Sequence, residues 1–382
     1  MPLRILHITR DFPPNINGGL SVAVGGLVEA QARAGIECVV VSFDNYRPAS
    51  GSVKREPERT TTISGITVIH VTGKAALERA QELAVNFIAD VVHVHHELLW
   101  SFAKAVAQFN RSPTVLTIHV LQSEQNRLRD VATTQSSEAQ ARALAECSIL
   151  HAPSQAVANI LIESSLALGG RLKVVPLGCD DWPGAVEASE QGRFGDWPML
   201  LYVGRFADIC GFAELLEALA TLLSDDPTLQ VTIAGGMPDN PRAEKRWKKR
   251  WDKLAGDEAA RVHWAGWRSS DELSELYGAA TMLVVPSWFE TFGQVALEGM
   301  LHGTPLITTG AGALANLVDE ECALLIDKKS PESIVAAVQS LLADPAAAEA
   351  RRLAALRRVQ SGYHWDDRMD AIREIYQAAM KS

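Results

Sequence analysis

The chain has 382 residues, 47% of them hydrophobic and 21% charged, ordinary globular proportions with room for two α/β domains. Its net charge is −10, and the whole excess lies in the second half: residues 1–180 hold 16 acidic and 16 basic side chains, the remainder 30 and 20. An overall acidic balance argues against nucleic acid as a partner.

No stretch approaches the roughly 18–20 apolar residues of a membrane span. Residues 3–9 are a short apolar run without a small-residue cleavage site, and read as a strand rather than a signal peptide. Cys38, Cys147, Cys179, Cys210 and Cys322 are odd in number, widely spaced and never in a Cys-x-x-Cys pair. Such usage fits a reducing cytoplasm and neither a disulfide framework nor a zinc site.

In chain order, short β-branched runs alternate with helical patterns. The first half predicts strands at Leu3–Thr9, Cys38–Phe43, Thr67–Val71, Val91–His95, Thr114–Ile118, Ile149–Ala152 and Lys173–Pro176, with helices at Ser21–Ala34, Ala75–Ala89, Leu98–Phe109 and Gln155–Leu168. A Gly-, Pro- and acid-rich segment, Gly178–Pro198, reads as a linker. The second half predicts strands at Met199–Val203, Gln230–Ala234, Val262–Trp264, Thr281–Val285, Pro305–Thr308 and Ala323–Ile326. Its helices are Phe212–Leu223, Arg242–Leu254, Asp271–Tyr277, Val295–Leu301 and Ile334–Leu342. After Asp344-Pro345 the chain reads as helical to its end, with Trp365 opening a last helix through about Ala379. This alternation argues for two doubly wound parallel sheets, with ligands at the carboxyl ends of their strands. The basic run Arg242–Lys253 carries Trp247, Trp251 and Leu254 at helical spacing, and reads as the solvated face of a helix.

Three turns after strands carry the chemistry. The first, Asp11-Phe-Pro-Pro-Asn-Ile-Asn-Gly18-Gly19, opens a helix; its paired glycines let backbone approach a ligand, although they also simply make a turn. In the second, Gly204-Arg205, the guanidinium just past a strand end suits a phosphate clamp. The third, Ser287-Trp-Phe-Glu290-Thr-Phe292-Gly293-Gln294-Val-Ala-Leu-Glu298, puts two carboxylates eight residues apart, around a glycine turn that starts a helix. Backbone N–H groups there can face an anion, and carboxylates beside an anion site suggest recognition of sugar or ribose hydroxyls. His93 and His95 share a strand face, and read as hydrogen-bonded strand-end histidines rather than metal ligands. Cys210 reads as a binding position rather than a nucleophile, since no adjacent His is evident to lower its pKa.

Taken in order, the Pro-Pro…Gly-Gly loop, Asp90-Val-Val-His93-Val-His95, Thr117-Ile-His119, Gly204-Arg205, the Glu290…Glu298 segment and the Trp365 helix resemble the GT4 retaining glycosyltransferases. The resemblance spans nearly the whole chain. It implies the GT-B fold: an acceptor-binding Rossmann-like domain over residues 1–178, a nucleotide-sugar-binding one over 179–364, a crevice between them, and a terminal helix, 365–382, returning to the first. It also implies roles. Gly18 and Gly19 approach the donor, His119 sits over the donor sugar, and Arg205, beside Gly204, neutralises the leaving diphosphate. Glu290 bonds the sugar hydroxyls, the N–H groups around Phe292, Gly293 and Gln294 bind sugar or phosphate, and Glu298 holds the ribose. Gly266, Trp267 and Arg268 contact the base.

No Asp-x-Asp motif occurs, and the resemblance implies no metal or other cofactor beyond the nucleotide-sugar co-substrate. The expected partners are that donor and a small-molecule or glycan acceptor, soluble rather than a membrane lipid. The chain departs from the pattern at Cys210, where such enzymes usually carry a Lys that grips the diphosphate with the Arg. Leu177 and Asn316 also replace a usual Asn and Glu. The alternative expectation is therefore a nucleotide-sugar binder or partner subunit with impaired catalysis.

Overall fold

The computed structural model describes residues 2–14, 18–43, 59–71, 82, 84–164, 168–179, 197–236 and 240–382. Most of the expected helix Ala75–Ala89 and of the linker Gly178–Pro198 falls outside them.

In chain order the elements are β1 (Arg4–Thr9), α1 (Gly19–Arg33), β2 (Glu37–Ser42), β3 (Arg59–Ile63), β4 (Ile66–His70), β5 (Val91–Val94), α2 (Trp100–Asn110), β6 (Thr114–Thr117), α3 (Gln122–Arg129), α4 (Gln135–Glu146), β7 (Ile149–Ala152), α5 (Gln155–Glu163) and β8 (Leu172–Val174). There follow β9 (Met199–Gly204), α6 (Phe212–Asp225), β10 (Gln230–Gly235), α7 (Pro241–Ala255), β11 (Val262–Gly266), α8 (Ser270–Ala279), β12 (Met282–Val285), α9 (Gln294–Leu301), β13 (Leu306–Thr309), α10 (Leu314–Leu317), β14 (Leu324–Ile326), α11 (Pro331–Ala343), α12 (Pro345–Gln360) and α13 (Met369–Met380). No helix among the described residues is long and apolar enough to cross a membrane.

The chain forms two compact units, one of Met1–Asp180 with Tyr363–Ser382, the other of Asp181–Gly362. The first holds an eight-stranded sheet in the order β3-β4-β2-β1-β5-β6-β7-β8, parallel except for β3. The second holds a fully parallel six-stranded sheet, β11-β10-β9-β12-β13-β14. Both have helices between strands because parallel neighbours need a crossover. In each, the strand order reverses beside the first strand: between β1 and β5, and between β9 and β12. Such switch points open a crevice at the strands' carboxyl ends.

The structure departs from the sequence expectations in several places. The β3–β4 hairpin was not predicted; Ser64 and Gly65, at φ 50° and 82°, make the two-residue turn that matches strand twist. Helices α3 and α4 also went unpredicted, because Thr133-Thr-Gln-Ser-Ser137 reads as loop. There Thr134 instead caps α4, accepting from the Ser137 N–H while Ser137 returns the bond to its backbone. The last helix, expected to open at Trp365, begins at Met369: α12 stops at Gln360, and Trp365–Arg368 forms a short 3₁₀ turn ahead of α13.

That turn docks onto the first unit. The Cys179 N–H donates to the Tyr363 carbonyl, the Trp365 N–H donates to the Cys179 carbonyl, and a Cβ at Gly178 would fall 2.6 Å from the Trp365 Cα, so only glycine admits the close approach. Trp365 is 1% exposed. Burial of a side chain of that size stabilises by about 3 kcal/mol, enough to hold the tail on the sheet.

Candidate functional site

The second unit gathers its polar groups at the switch point. β9 ends in Gly204 and β12 in Val285, and the two strands are neighbours, Leu200 pairing Met282 and Leu201 pairing Leu283. Arg205 and the Pro286–Glu290 turn therefore leave the sheet side by side. Two glycines permit the crowding. Gly211, at φ 67°, would put a Cβ 2.0 Å from the Pro286 carbonyl oxygen, and Gly312, at φ 65°, one 2.2 Å from that of Glu290. Any larger residue at either position would push this turn away from the strand ends.

Glu290 is half-buried and pinned from three directions. The Ser287 hydroxyl donates to Oε1 at 2.7 Å, the Ala313 N–H donates to the Glu290 carbonyl at 2.8 Å, and Thr309 holds the Ser287 carbonyl at 2.6 Å. Burial raises its pKa, opposed by the Ser287 bond and by Arg205. Arg205 is fixed through its carbonyl, which accepts from the Tyr202 hydroxyl at 2.8 Å.

Cys210 faces the same pair. Burial pushes its thiol up to about 11; the Arg205 charge lowers it and Glu290 raises it. The thiol is protonated at neutral pH, so position 210 supplies no charge and no thiolate nucleophile.

Gly293 caps α9 at φ 94°, and its missing Cβ leaves room for Leu314, whose Cδ2 would lie 2.9 Å away. The first N–H groups of α9, beginning at Gln294, have no partner within the helix. Phe292 is buried beneath them. One turn on, Glu298 is 4% exposed, accepting from the Tyr277 hydroxyl at 2.8 Å and from Gln294 Nε2 at 3.2 Å. Burial raises its pKa to about 7, against both hydrogen bonds.

Trp267 and Arg268 stand apart from this cluster. They follow β11 at the sheet edge, with β10 between it and β9. Arg268 is tied to Glu272 at 2.7 Å; the Ser269 N–H of the α8 capping box, followed by this Arg268 bond, pulls the Glu272 carboxyl down to about 2.

The first unit places its residues at its own switch point. Gly18, at φ 145°, caps α1, and Gly19 is that helix's first residue. His119 follows β6 and bonds His95 at 3.1 Å; burial lowers its pKa to about 3, so the ring is neutral. His93 and His95 lie inside the sheet and are hydrogen-bonded there.

Several residues of the site escaped the sequence reading. Ser287 could have been found, three positions ahead of the carboxylate it serves. Tyr277 could not, because tertiary pairing alone brings α8 to Glu298.

Comparison with known proteins bears on the family and the fold. The chain matches the family Glycosyltransferase Family 4 over residues 17–182 and Glycosyl transferases group 1 over residues 197–344, so the two matches together span most of it. A glycogen synthase of Mycobacterium tuberculosis is 28% identical across 99% of this chain and 95% of its own length. A D-inositol 3-phosphate glycosyltransferase of Acidothermus cellulolyticus is 29% identical across 95% of this chain and 86% of its own. The sucrose-phosphate synthase structure from Thermosynechococcus elongatus superposes with a TM-score of 0.78 over 98% of each chain, at 23% identity, which is a likeness of fold. With both family matches and two doubly wound units in hand, this chain belongs to the GT4 glycosyltransferases of the GT-B fold.

Proposed function

We propose that this chain is a retaining, metal-independent glycosyltransferase that moves a sugar from a nucleotide-sugar donor to a hydroxyl of a soluble small molecule in the cytoplasm. The observation that carries the reading is the grouping of Glu290, Arg205 and the Gly293 helix start at one switch point: a hydroxyl reader, a cation and an anion-binding helix end. In such a transfer the bond from the anomeric carbon to the diphosphate breaks and one to the acceptor oxygen forms on the same face. The departing phosphate takes the acceptor's proton. Charge stabilisation of the leaving group is then the main requirement, and Arg205 with the α9 N–H groups is suited to it. Glu290 orients the sugar, Glu298 the ribose, and Trp267 and Arg268 border the base. In the first unit Gly18, Gly19 and His119 are the candidate ligand-facing residues, and that unit selects the acceptor.

A thermal-shift screen across UDP-, GDP-, ADP- and dTDP-sugars tests the reading. A ligand at 100 times its Kd stabilises by about 2.7 kcal/mol, so one base class should raise Tm by several degrees. No shift with any of them would sink it. Nucleoside diphosphate release with glycan and phosphorylated-polyol acceptors, inositol phosphate among them, then tests transfer.

The uncharged thiol at Cys210 favours one second reading, a nucleotide-sugar binder that does not turn over. It is supported if donor binds by calorimetry and no acceptor releases the diphosphate.

A further inference from the structure

The first unit contains a continuous buried hydrogen-bond chain that reaches His119. His151 Nε2 lies 2.7 Å from the Val175 carbonyl oxygen, and His151 Nδ1 lies 2.8 Å from Thr117 Oγ1. Thr117 Oγ1 is 2.7 Å from His93 Nε2, and His93 Nδ1 is 2.8 Å from the Tyr376 hydroxyl. Tyr376 meets Gln31 Nε2 at 2.6 Å, Gln31 Oε1 meets His7 Nε2 at 2.8 Å, His7 Nδ1 meets His95 Nε2 at 3.0 Å, and His95 Nδ1 meets His119 Nε2 at 3.1 Å. Val175, which contributes only its carbonyl, is 7% exposed, and every other member except half-buried His119 is at most 2% exposed.

Burial lowers the pKa of all five rings, to about 4 at His7 and His151 and about 3 at His119, so each ring is neutral and carries one proton. A neutral imidazole donates from one nitrogen and accepts at the other, and a hydroxyl has one proton to give. A carbonyl only accepts. The Val175 oxygen therefore puts the His151 proton on Nε2, which makes Nδ1 an acceptor and Thr117 its donor. Thr117 must then accept from His93 Nε2–H, leaving His93 Nδ1 to accept from Tyr376.

With its only proton used, Tyr376 must accept from the Gln31 amide. A flipped Gln31 would set two oxygens face to face with no proton between them. Gln31 Oε1 accordingly accepts from His7 Nε2–H, and also from the Cys38 thiol at 3.2 Å, which burial keeps protonated by raising its pKa to about 12. His95 Nε2–H then donates to His7, and His119 Nε2–H donates to His95. His7, His93 and His95 hold nitrogens within 4.8 Å of one another, a spacing that would suit a metal, but these nitrogens are the links of the chain.

We infer that the Val175 carbonyl, acting through this directional relay, fixes His119 as the Nε2–H tautomer with Nδ1 as an acceptor, so that a ligand group met by Nδ1 must be a donor such as a sugar hydroxyl, and not a carboxylate oxygen. Tyr376 and Gln31 are positioning residues for His119. The ligand half of this inference rests on the proposed glycosyltransferase reading; the tautomer half does not.

The test is a long-range ¹H–¹⁵N spectrum of the full chain labelled at histidine nitrogens. His119 should show a protonated Nε2 and an unprotonated Nδ1; the reverse pattern overturns the assignment. Tyr376→Phe and, independently, Thr117→Val cut the link to Val175, and should turn the His119 signals into those of a tautomer mixture. Unchanged signals in both would overturn the relay. With a hydroxyl-bearing nucleotide sugar, Tyr376→Phe should raise KM about fivefold, the equivalent of one ordinary hydrogen bond, with a smaller change in kcat. A correct tautomer in a wild-type protein that binds no nucleotide sugar leaves the relay standing and defeats the functional reading alone.

Discussion

The two units share a topology and differ in what their sheets conceal. In the first, His7, His93, Thr117 and His151 sit on four neighbouring strands with exposures of at most 2%. In the second, the matching strands bury Leu200, Val231, Met282, Val284 and Ile307 in an apolar core, and the main polar groups of the site wait at the strand ends. A polar side chain inside a sheet is tolerated only when every donor and acceptor is paired. The first unit therefore carries a closed network whose parts stand or fall together. The second carries carboxylates held one at a time, each by a hydroxyl and a local turn. Substitution should damage the first through stability and the second through ligand handling.

Glu290→Ala should test this contrast hardest. Loss of one charge-orienting group at a transfer site costs about 2.7–4 kcal/mol, or 10²–10³ in rate, while the circular dichroism melt should stay put. Full retained activity would remove Glu290 from the site.

The pH dependence of stability should run in opposite directions in the two units. Folded Glu298 binds its proton more tightly, at about 7, than an unfolded carboxyl at 4.5. The second unit should therefore lose stability as pH rises between those values, by about 3 kcal/mol. His7 and His151 bind protons less tightly folded, at about 4, than unfolded, at 6.5. Their contribution is complete above pH 6.5 and is lost as pH falls toward 4. Urea melts followed by tryptophan fluorescence at about pH 5 and pH 7.5 should show the two transitions moving in opposite senses. Glu298→Gln should flatten only the second.

Gln31→Leu should cost about 2 kcal/mol, because it leaves Tyr376 and His7 without partners in a dry core. A denaturation midpoint shift confined to the first unit would agree; an unchanged midpoint would mean that the network is not closed. The smallest expected effect is from Cys210→Lys. Restoring an ammonium beside Arg205 should tighten nucleoside diphosphate binding up to about tenfold, read by calorimetry. An unaltered Kd would mean that position 210 does not face the phosphates.

Much of this molecule was legible in the chain. The β-branched runs placed the second unit's strands within a residue or two, because a strand buried on both faces must be apolar along its length. The turn glycines marked the helix starts, since φ 67° at Gly211 and φ 94° at Gly293 suit no other residue well. The Thr- and Ser-rich stretches that became β3 and α4 were hidden, because their polar surfaces lack the periodicity that burial imposes.

Sequence by itself determined where the chemistry-bearing residues stand along the chain: Arg205 after a strand, Glu290 and Glu298 around a helix start, His119 at a strand end. Only tertiary structure decided what holds them. Tyr277 reaches Glu298 across 21 positions, and Tyr376 joins His93 across 283 and Gln31 across 345. Local propensity acts over a few residues, whereas a buried polar group is satisfied by whichever partner the fold carries to it. The tautomer of His119 is accordingly set by a carbonyl just past β8, two strands from β6.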